Sequence, residues 1–310
     1  MRIYYQLSAY ISHHITALEY IACLRMLGHA VITEPERAEE AELANLHDAP
    51  SSYAEFFERL PLLKSQLLVA FCVWENEMLP EAYARPLKNV HEIWTPSTFS
   101  QKSILARFPN VRVLPHVVRR IAPSRDDLDL MHRKLNQKDG ELIFFSIIDA
   151  INPRKNIQGL LRAFARLRAR AGSHVRLVLK QYRFHLDYSS LPGITTIEGN
   201  LSDELIAACY ILSDAYVSAH HAEGWGLGLS QAMAHGKPVV ATGYSGNMDF
   251  MDESNSLPVA FDLVPVSAEM RAMHRMFTED MVWAEPRLPD LVRAMRQAVE
   301  GRYEAQLPAR

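Results

Sequence analysis

Glu223 stands immediately before a run in which glycine alternates with bulky residues, Gly224-Trp225-Gly226-Leu227-Gly228. A carboxylate accepts hydrogen bonds from hydroxyl groups. A glycine-lined loop that opens into a helix offers free N–H groups and the positive end of a dipole, which favour an anion. Arg154 and Lys155 are adjacent, and Lys180 closes an apolar run. Polyol recognition beside phosphate recognition is the chemistry that a sugar nucleotide requires.

The elements that must position these residues follow from the local pattern. Ala215–Ala219 reads as a strand heading into the glycine loop. A helix is expected from near Gly226 to His235, with Gly236 at the place of a left-handed cap and Pro238 beyond it. Lys237–Thr242 reads as the next strand. Leu142–Ile148 is a continuous apolar run of the parallel, doubly covered kind, and a helix is expected from Ile157 to Arg170. Two cations at a helix amino terminus oppose its dipole unless an anion lies between them and the helix. Val175–Lys180 is a further strand, and a cation at its carboxyl end points into the ligand crevice of such a sheet.

The first half opens with a strand at Arg2–Leu7, a polar loop at Ser8–His14, a helix at Thr16–Leu27, and Gly28-His29-Ala30-Val31 turning into a second strand. This is a Rossmann-like opening without Gly-x-Gly-x-x-Gly, so a nicotinamide dehydrogenase loses its phosphate loop. Glu34–Glu58 carries eight acids against Arg37 alone and reads as solvated helix surface. Leu67–Trp74 is a buried strand; Glu75 at its end either faces the crevice or caps the following helix. Residues 123–140 are polar and charged and read as a linker.

Composition narrows the class. The chain has 310 residues, 48% of them hydrophobic, a formal net charge of −3 and three scattered cysteines. Full cores and two medium domains fit, a general nucleic-acid binder does not, and no disulfide framework or metal spacing is legible. No apolar run approaches the roughly 18 residues of a membrane span, and the amino terminus lacks a signal-peptide core. A cytoplasmic protein, touching at most a membrane surface, is expected. Between Ile151 and Leu186 there are nine basic residues and no acid. Arg162, Arg166 and Arg170 share a helix face that is either solvated or suited to anionic lipid or a lipid-linked acceptor.

Glu223-Gly-Trp-Gly-Leu-Gly-Leu-Ser-Gln231-Ala-Met-Ala-His-Gly-Lys-Pro-Val resembles the signature of family-4 retaining glycosyltransferases: Glu, seven residues, Glu, then Ala-Met-Ala-x-Gly-x-Pro-Val. Gly243-Tyr-Ser-Gly-Asn247-Met-Asp-Phe resembles a bacterial polysaccharide or lipopolysaccharide subgroup. The resemblance implies an α/β chain of GT-B type, two Rossmann-like domains facing across a cleft. The expected bounds are 1–122 for the acceptor side, 123–140 for the linker and 141–285 for the donor side. A helix within 286–310 is expected to pack back on the first domain.

By the same resemblance Glu223 holds donor-sugar hydroxyls, Lys155 grips the diphosphate, and Lys180 contacts donor phosphates; these are the expected catalytic residues. Arg154 replaces an Arg that the family carries where this chain has Ala150. Gly224, Trp225, Gly226 and Leu227 line the donor, Gly199 and Asn200 lie along the base, and Gln231 takes the place of the ribose-binding Glu. The first loop faces the cleft in glycosyltransferases of this shape, which makes Ser12, His13 and His14 acceptor-side candidates with Glu75; polar surface histidines are the other reading. No Asp-x-Asp motif is present, so neither metal nor cofactor is expected. The partners implied are a nucleotide sugar and a glycan or lipid-linked acceptor. Gln231, Ala150 and the short first domain keep open a non-catalytic partner subunit, and a sugar-nucleotide epimerase of GT-B type is a further alternative.

Overall fold

The computed structural model describes residues 1–59 and 66–300. The chain divides into two compact units, Met1–Val117 with Arg275–Met281, and Val118–His274 with the segment from Val282 onward.

The first unit runs β1 (Arg2–Gln6), α1 (Ile11–Met26), β2 (Ala30–Ile32), β3 (Leu43–His47), α2 (Tyr53–Arg59), β4 (Leu67–Phe71), α3 (Glu81–Leu87), β5 (Glu92–Thr95), α4 (Thr98–Leu105) and β6 (Val111–Val113). Its six strands lie in the order β2-β1-β3-β4-β5-β6, every pairing parallel. Tyr5 and Phe71 on the sheet meet Ala17, Tyr20 and Ile21 of α1 in one buried cluster. Neighbouring strands that leave β1 in opposite directions place the topological switch point between β1 and β3.

Two expectations for this unit change. Helix α1 begins at Ile11, so Ser12, His13 and His14 lie in its first turn and not in a loop. Its N-cap is Tyr10, which makes no side-chain cap bond, so the usual Ser, Thr, Asp or Asn signal is missing there. The acidic stretch 34–58 contains β3, whose five residues are all buried. Acids flank that strand on both sides and mask a short run, Leu43-Ala-Asn-Leu-His47, that crosses the core.

The second unit runs α5 (Arg125–Leu135), β7 (Leu142–Ile148), α6 (Ile157–Ala171), β8 (Val175–Gln181), β9 (Ile194–Ile197), α7 (Asp203–Leu212), β10 (Ala215–Ser218), α8 (Leu227–Ala234), β11 (Val239–Thr242), β12 (Leu257–Val259), β13 (Phe261–Pro265), α9 (Ala268–Met273), β14 (Val282–Pro286) and α10 (Leu288–Val299). Six parallel strands lie in the order β12-β11-β10-β7-β8-β9, and β13 pairs antiparallel with β14. Helices α6 and α10 cover one face, with Leu160, Phe164, Leu291 and Met295 buried against Leu177 and Val240. Helices α5, α7 and α8 cover the other, with Met131, Ala208 and Leu229 against Phe145 and Val178. Here the strand order reverses between β7 and β10, and the crevice at their carboxyl ends is the place where such sheets bind ligands.

The stretch 123–140, expected as a linker, forms α5. Ser124 and Asp127 make a capping box, Asn136 ends the helix in the left-handed conformation, and Met131 and Leu135 are buried in the second unit. Helix α10 packs on the second unit's own core, and residues 301–310 of that expected segment lie outside the described residues. The part that returns to the first unit is 275–281, where Phe277 stacks on Trp74 with centroids 5.1 Å apart.

Candidate functional site

Strand β10 ends at Ser218, and α8 starts at Leu227 with Gly226 as its N-cap at φ 94°, ψ 61°. That conformation suits glycine, and a Cβ here would also lie 2.8 Å from Leu229 Cδ1. At Gly228 the Tyr216 hydroxyl occupies the space that a Cβ would take. The alternating glycines therefore let the helix start press against β10. Between them Trp225 turns inward, its Nε1 donating to Ser230 Oγ at 3.2 Å and its ring 4.7 Å from that of Phe250. Trp225 thus anchors the loop with its side chain, and the lining offered by 224–227 is main chain.

On the opposite side of the switch point, a short helical turn, Pro153–Lys155, follows β7 and leads into α6. Asn156 caps α6, its Oδ1 accepting from the Gly159 N–H at 3.0 Å, and a Cβ at Gly159 would stand 2.6 Å from the Asn156 amide. The Arg154 N–H donates to Asn152 Oδ1 at 3.1 Å, and the Arg154 carbonyl accepts from His221 N–H at 2.8 Å. These bonds stitch the β7 loop to the β10 loop and bring three predicted residues together. Lys155 Nζ lies 2.5 Å from Glu223 Oε1, and Arg154 Nη1 lies 3.2 Å from Glu223 Oε2. Arg154 also donates to the Ala222 carbonyl at 2.6 Å. The anion that the paired cations require is Glu223 itself.

The triad is largely withdrawn from water, with side-chain exposures of 9% for Arg154, 16% for Lys155 and 12% for Glu223. Burial alone pushes the Glu223 carboxyl upward, but Lys155, Arg154 and His220 outweigh it and hold it at about 2. Two cations share one carboxylate, which leaves a surplus of positive charge at the amino end of α8. His220 is fully buried, and burial lowers its imidazole to about 4 despite the pull of Glu223. Asn247 Nδ2 donates to the Thr242 carbonyl at 3.0 Å, which turns its Oδ1 to His220 Nε2 at 3.1 Å. His220 then donates from Nε2, and its Nδ1 accepts from Ser218 Oγ at 3.0 Å. The β11–β12 loop also holds the main chain of Glu223. Its N–H donates to Ser245 Oγ at 2.7 Å, and its carbonyl accepts from Gly246 N–H at 2.9 Å.

Other predicted residues lie apart from this triad. The Lys180 side chain points to the face covered by α5 and α7, where burial lowers its pKa, Cys209 pulls the other way and Lys134 adds to the lowering. Its amine donates to the Gln181 carbonyl at 2.5 Å. Gly199 and Asn200 are exposed after β9, with Gly199 at φ 77°. Three strand spacings separate β9 from β10, about 14 Å. Gln231 is half-buried on α8, and the Tyr210 hydroxyl stands 3.3 Å from its Oε1 and 3.1 Å from the Gly228 carbonyl.

In the first unit, His13 turns into a cluster of aromatic rings. It lies 5.5 Å from His47 and 5.6 Å from Tyr10 between centroids. Burial lowers its pKa, while Asp48 and Glu75 pull the other way. His47 stacks on Phe71 at 4.3 Å, and Phe71 stacks on His116 at 5.4 Å. Tyr5 hydroxyl meets His47 Nδ1 at 2.9 Å, and Tyr20 hydroxyl meets His116 Nδ1 at 3.1 Å. His14 is elsewhere, its Nδ1 3.1 Å from the Ser8 carbonyl, and Ser12 is half-buried in the same turn. His47, His116 and His220 carry no role in the sequence reading, and Ser245 enters it only within the stretch Gly243–Phe250. Their shared signal is position: each follows or ends a strand at the carboxyl edge of a sheet.

Among the described residues no group of three or more His, Cys, Asp or Glu side chains is arranged to hold a metal ion, and no helix is long and apolar enough to cross a membrane. Residues 129–256 match the family described as Glycosyl transferases group 1. No curated protein matches the chain in sequence. Among solved structures, the chain is similar to Anabaena HepE in complex with UDP and glucose, at TM-score 0.64 and 13% identity over 89% of each chain. It is similar to WaaG, a glycosyltransferase involved in lipopolysaccharide biosynthesis, at 0.65 and 12% over 97% of this chain and 91% of that one. Similarity to sucrose-phosphate synthase from Thermosynechococcus elongatus reaches 0.68 at 14% identity, over 99% and 92%. These likenesses establish the fold as the GT-B type.

Proposed function

We propose that this GT-B chain, whose residues 129–256 match the family described as Glycosyl transferases group 1, is a glycosyltransferase that moves a hexose from a nucleoside diphosphate sugar to a glycan or glycolipid acceptor, with retention and without a metal. The observation that carries the reading is the Arg154–Lys155–Glu223 triad at the switch point between β7 and β10. A departing nucleoside diphosphate gains negative charge. The Lys155 ammonium, the Arg154 guanidinium and the N–H groups that open α8 meet that charge where water is largely excluded. Glu223 accepts hydrogen bonds from sugar hydroxyls and steadies positive charge developing at the anomeric carbon. The leaving phosphate takes the acceptor's proton. Because cations neutralise the diphosphate, the reaction is indifferent to chelators.

The donor's extent fits the sheet. With its sugar at Glu223 after β10, its base reaches toward Gly199 and Asn200, about 14 Å away across β7 and β8. Gln231 on α8 offers an uncharged contact to the ribose. In the first unit Ser12, His13, His14 and Glu75 are the acceptor side; imidazoles kept neutral among aromatic rings suit an uncharged hydroxyl acceptor. HepE bound UDP and glucose, and WaaG serves lipopolysaccharide biosynthesis. The first favours a UDP-sugar donor and the second bacterial cell-surface glycan assembly, carried out in the cytoplasm at the membrane surface.

Incubating the purified chain with nucleotide sugars tests this. Glycosyl transfer to a glycan or glycolipid acceptor with retained anomeric configuration, unaffected by EDTA, is the expected result. Release of free sugar with an inverted ring carbon points to an epimerase, and no turnover of any donor points to a partner subunit.

A further inference from the structure

Ser245 holds a main-chain conformation that side chains avoid. Its φ of 76° and ψ of −149° lie at the edge of a region essentially reserved for glycine. Glycine stands close by, at Gly243 and Gly246, yet the strained position carries serine. The serine side chain is buried, and it is occupied: Oγ accepts from the Glu223 N–H at 2.7 Å and donates to the Tyr244 carbonyl at 2.5 Å. The following residue, Gly246, donates its N–H to the Glu223 carbonyl at 2.9 Å. Two consecutive residues thus clip both peptide groups of Glu223.

Closure of this loop has other sources. Thr242 Oγ1 donates to the His220 carbonyl at 2.5 Å, and Asn247 bonds both His220 and the Thr242 carbonyl. A turn needing only to close would be relaxed by glycine at 245. What glycine would lose is the acceptor beneath the Glu223 amide.

We propose that Ser245 is a positioning residue for Glu223: its strain is retained because it seats Oγ under the Glu223 N–H and so sets where the carboxylate meets the donor sugar. The proposal rests on the reading of Glu223 as the sugar-binding carboxylate. It separates stability from function at one site, because glycine relieves the strain while removing the bond.

The full chain is titrated calorimetrically with UDP, GDP, ADP and TDP, and with UDP-glucose, GDP-mannose, ADP-glucose and TDP-glucose. Thermal midpoints are recorded alongside. In Ser245→Gly the midpoint stays at or above that of the wild type, affinity for the free nucleotide stays within about twofold, and affinity for its sugar conjugate falls about tenfold. Ser245→Ala, which keeps the strain and loses the bond, shows the same fall with a lower midpoint. A sugar affinity unchanged in Ser245→Gly overturns the proposal, as does a loss that only tracks a falling midpoint. Glu223→Gln separates the two levels: if it keeps full affinity for the sugar conjugate, the reading of Glu223 fails and the proposal with it. If Glu223→Gln loses affinity and Ser245→Gly does not, the proposal alone fails. No binding of any probe to the wild type removes the donor site on which both rest.

Discussion

The two units present their switch points in opposite chemical dress. In the first, the carboxyl ends of β1 and β3 gather His13, His47 and His116 among Tyr5, Tyr20 and Phe71. Burial keeps all three imidazoles neutral. In the second, the ends of β7 and β10 hold an ion triad whose carboxylate stays charged because its cations outweigh its burial. Under the proposed function, similar parallel sheets serve different ligands. Neutral donors and acceptors on rings match hydroxyl groups, and a surplus of positive charge matches a diphosphate.

Removing Glu223 breaks the contrast most severely. Glu223→Ala leaves Arg154 and Lys155 buried beside no carboxylate, and an expected loss of roughly 3 kcal/mol follows from stranding partly buried charge. Urea unfolding measures it. A loss under about 1 kcal/mol means that water already screens the triad.

Acid titration separates the buried histidines from Glu223 by window, since both lose stability as pH falls. His116 falls from 6.5 to about 3 and His220 from 6.5 to about 4 on folding. The unfolded chain binds those protons first, so stability declines as pH drops below 6.5 and the decline ends near 3 to 4. Glu223 is lowered from 4.5 to about 2. Its contribution is present above 4.5 and is lost as pH falls toward 2. Thermal midpoints should therefore sag from pH 6.5 downward, and His116→Phe should flatten the upper part of the curve. An unchanged slope in that variant assigns the early loss to other groups.

A smaller effect sharpens the first unit. Tyr20 hydroxyl serves the Leu114 and Pro115 carbonyls as well as His116. Tyr20→Phe should cost about 1 kcal/mol by equilibrium unfolding, and nucleotide binding should not move, since the change touches only the neutral cluster.

Legibility in the sequence follows the same divide. Leu142–Ile148 coincides with β7, and the helix expected within 286–310 forms as α10, because unbroken apolar runs and helical spacing are local signals. Glycines, caps and the Pro238 stop marked α8 and its neighbours. Arg154, Lys155 and Glu223 were legible as a set because unlike charges flanked helix starts. Lys180 was read by strand position, but the parity of β8 turns its side chain toward Cys209. Helix α5 had its capping box in plain view at Ser124 and Asp127, yet its charged surface disguised it as a linker. The histidine cluster was the least legible. It joins α1, β3 and the chain after β6, and no local pattern announces that these three will meet.

Nucleotide titration tests the central claim most directly: UDP, GDP, ADP and TDP against the wild type and Lys155→Ala, with and without chelator. The account predicts selective micromolar binding of one nucleotide, unchanged by chelator and weakened at least tenfold in Lys155→Ala, as loss of a charge-assisted phosphate contact requires. Equal binding by the two proteins would contradict the triad as the donor's phosphate site, and no binding to the wild type would contradict a donor site in this chain.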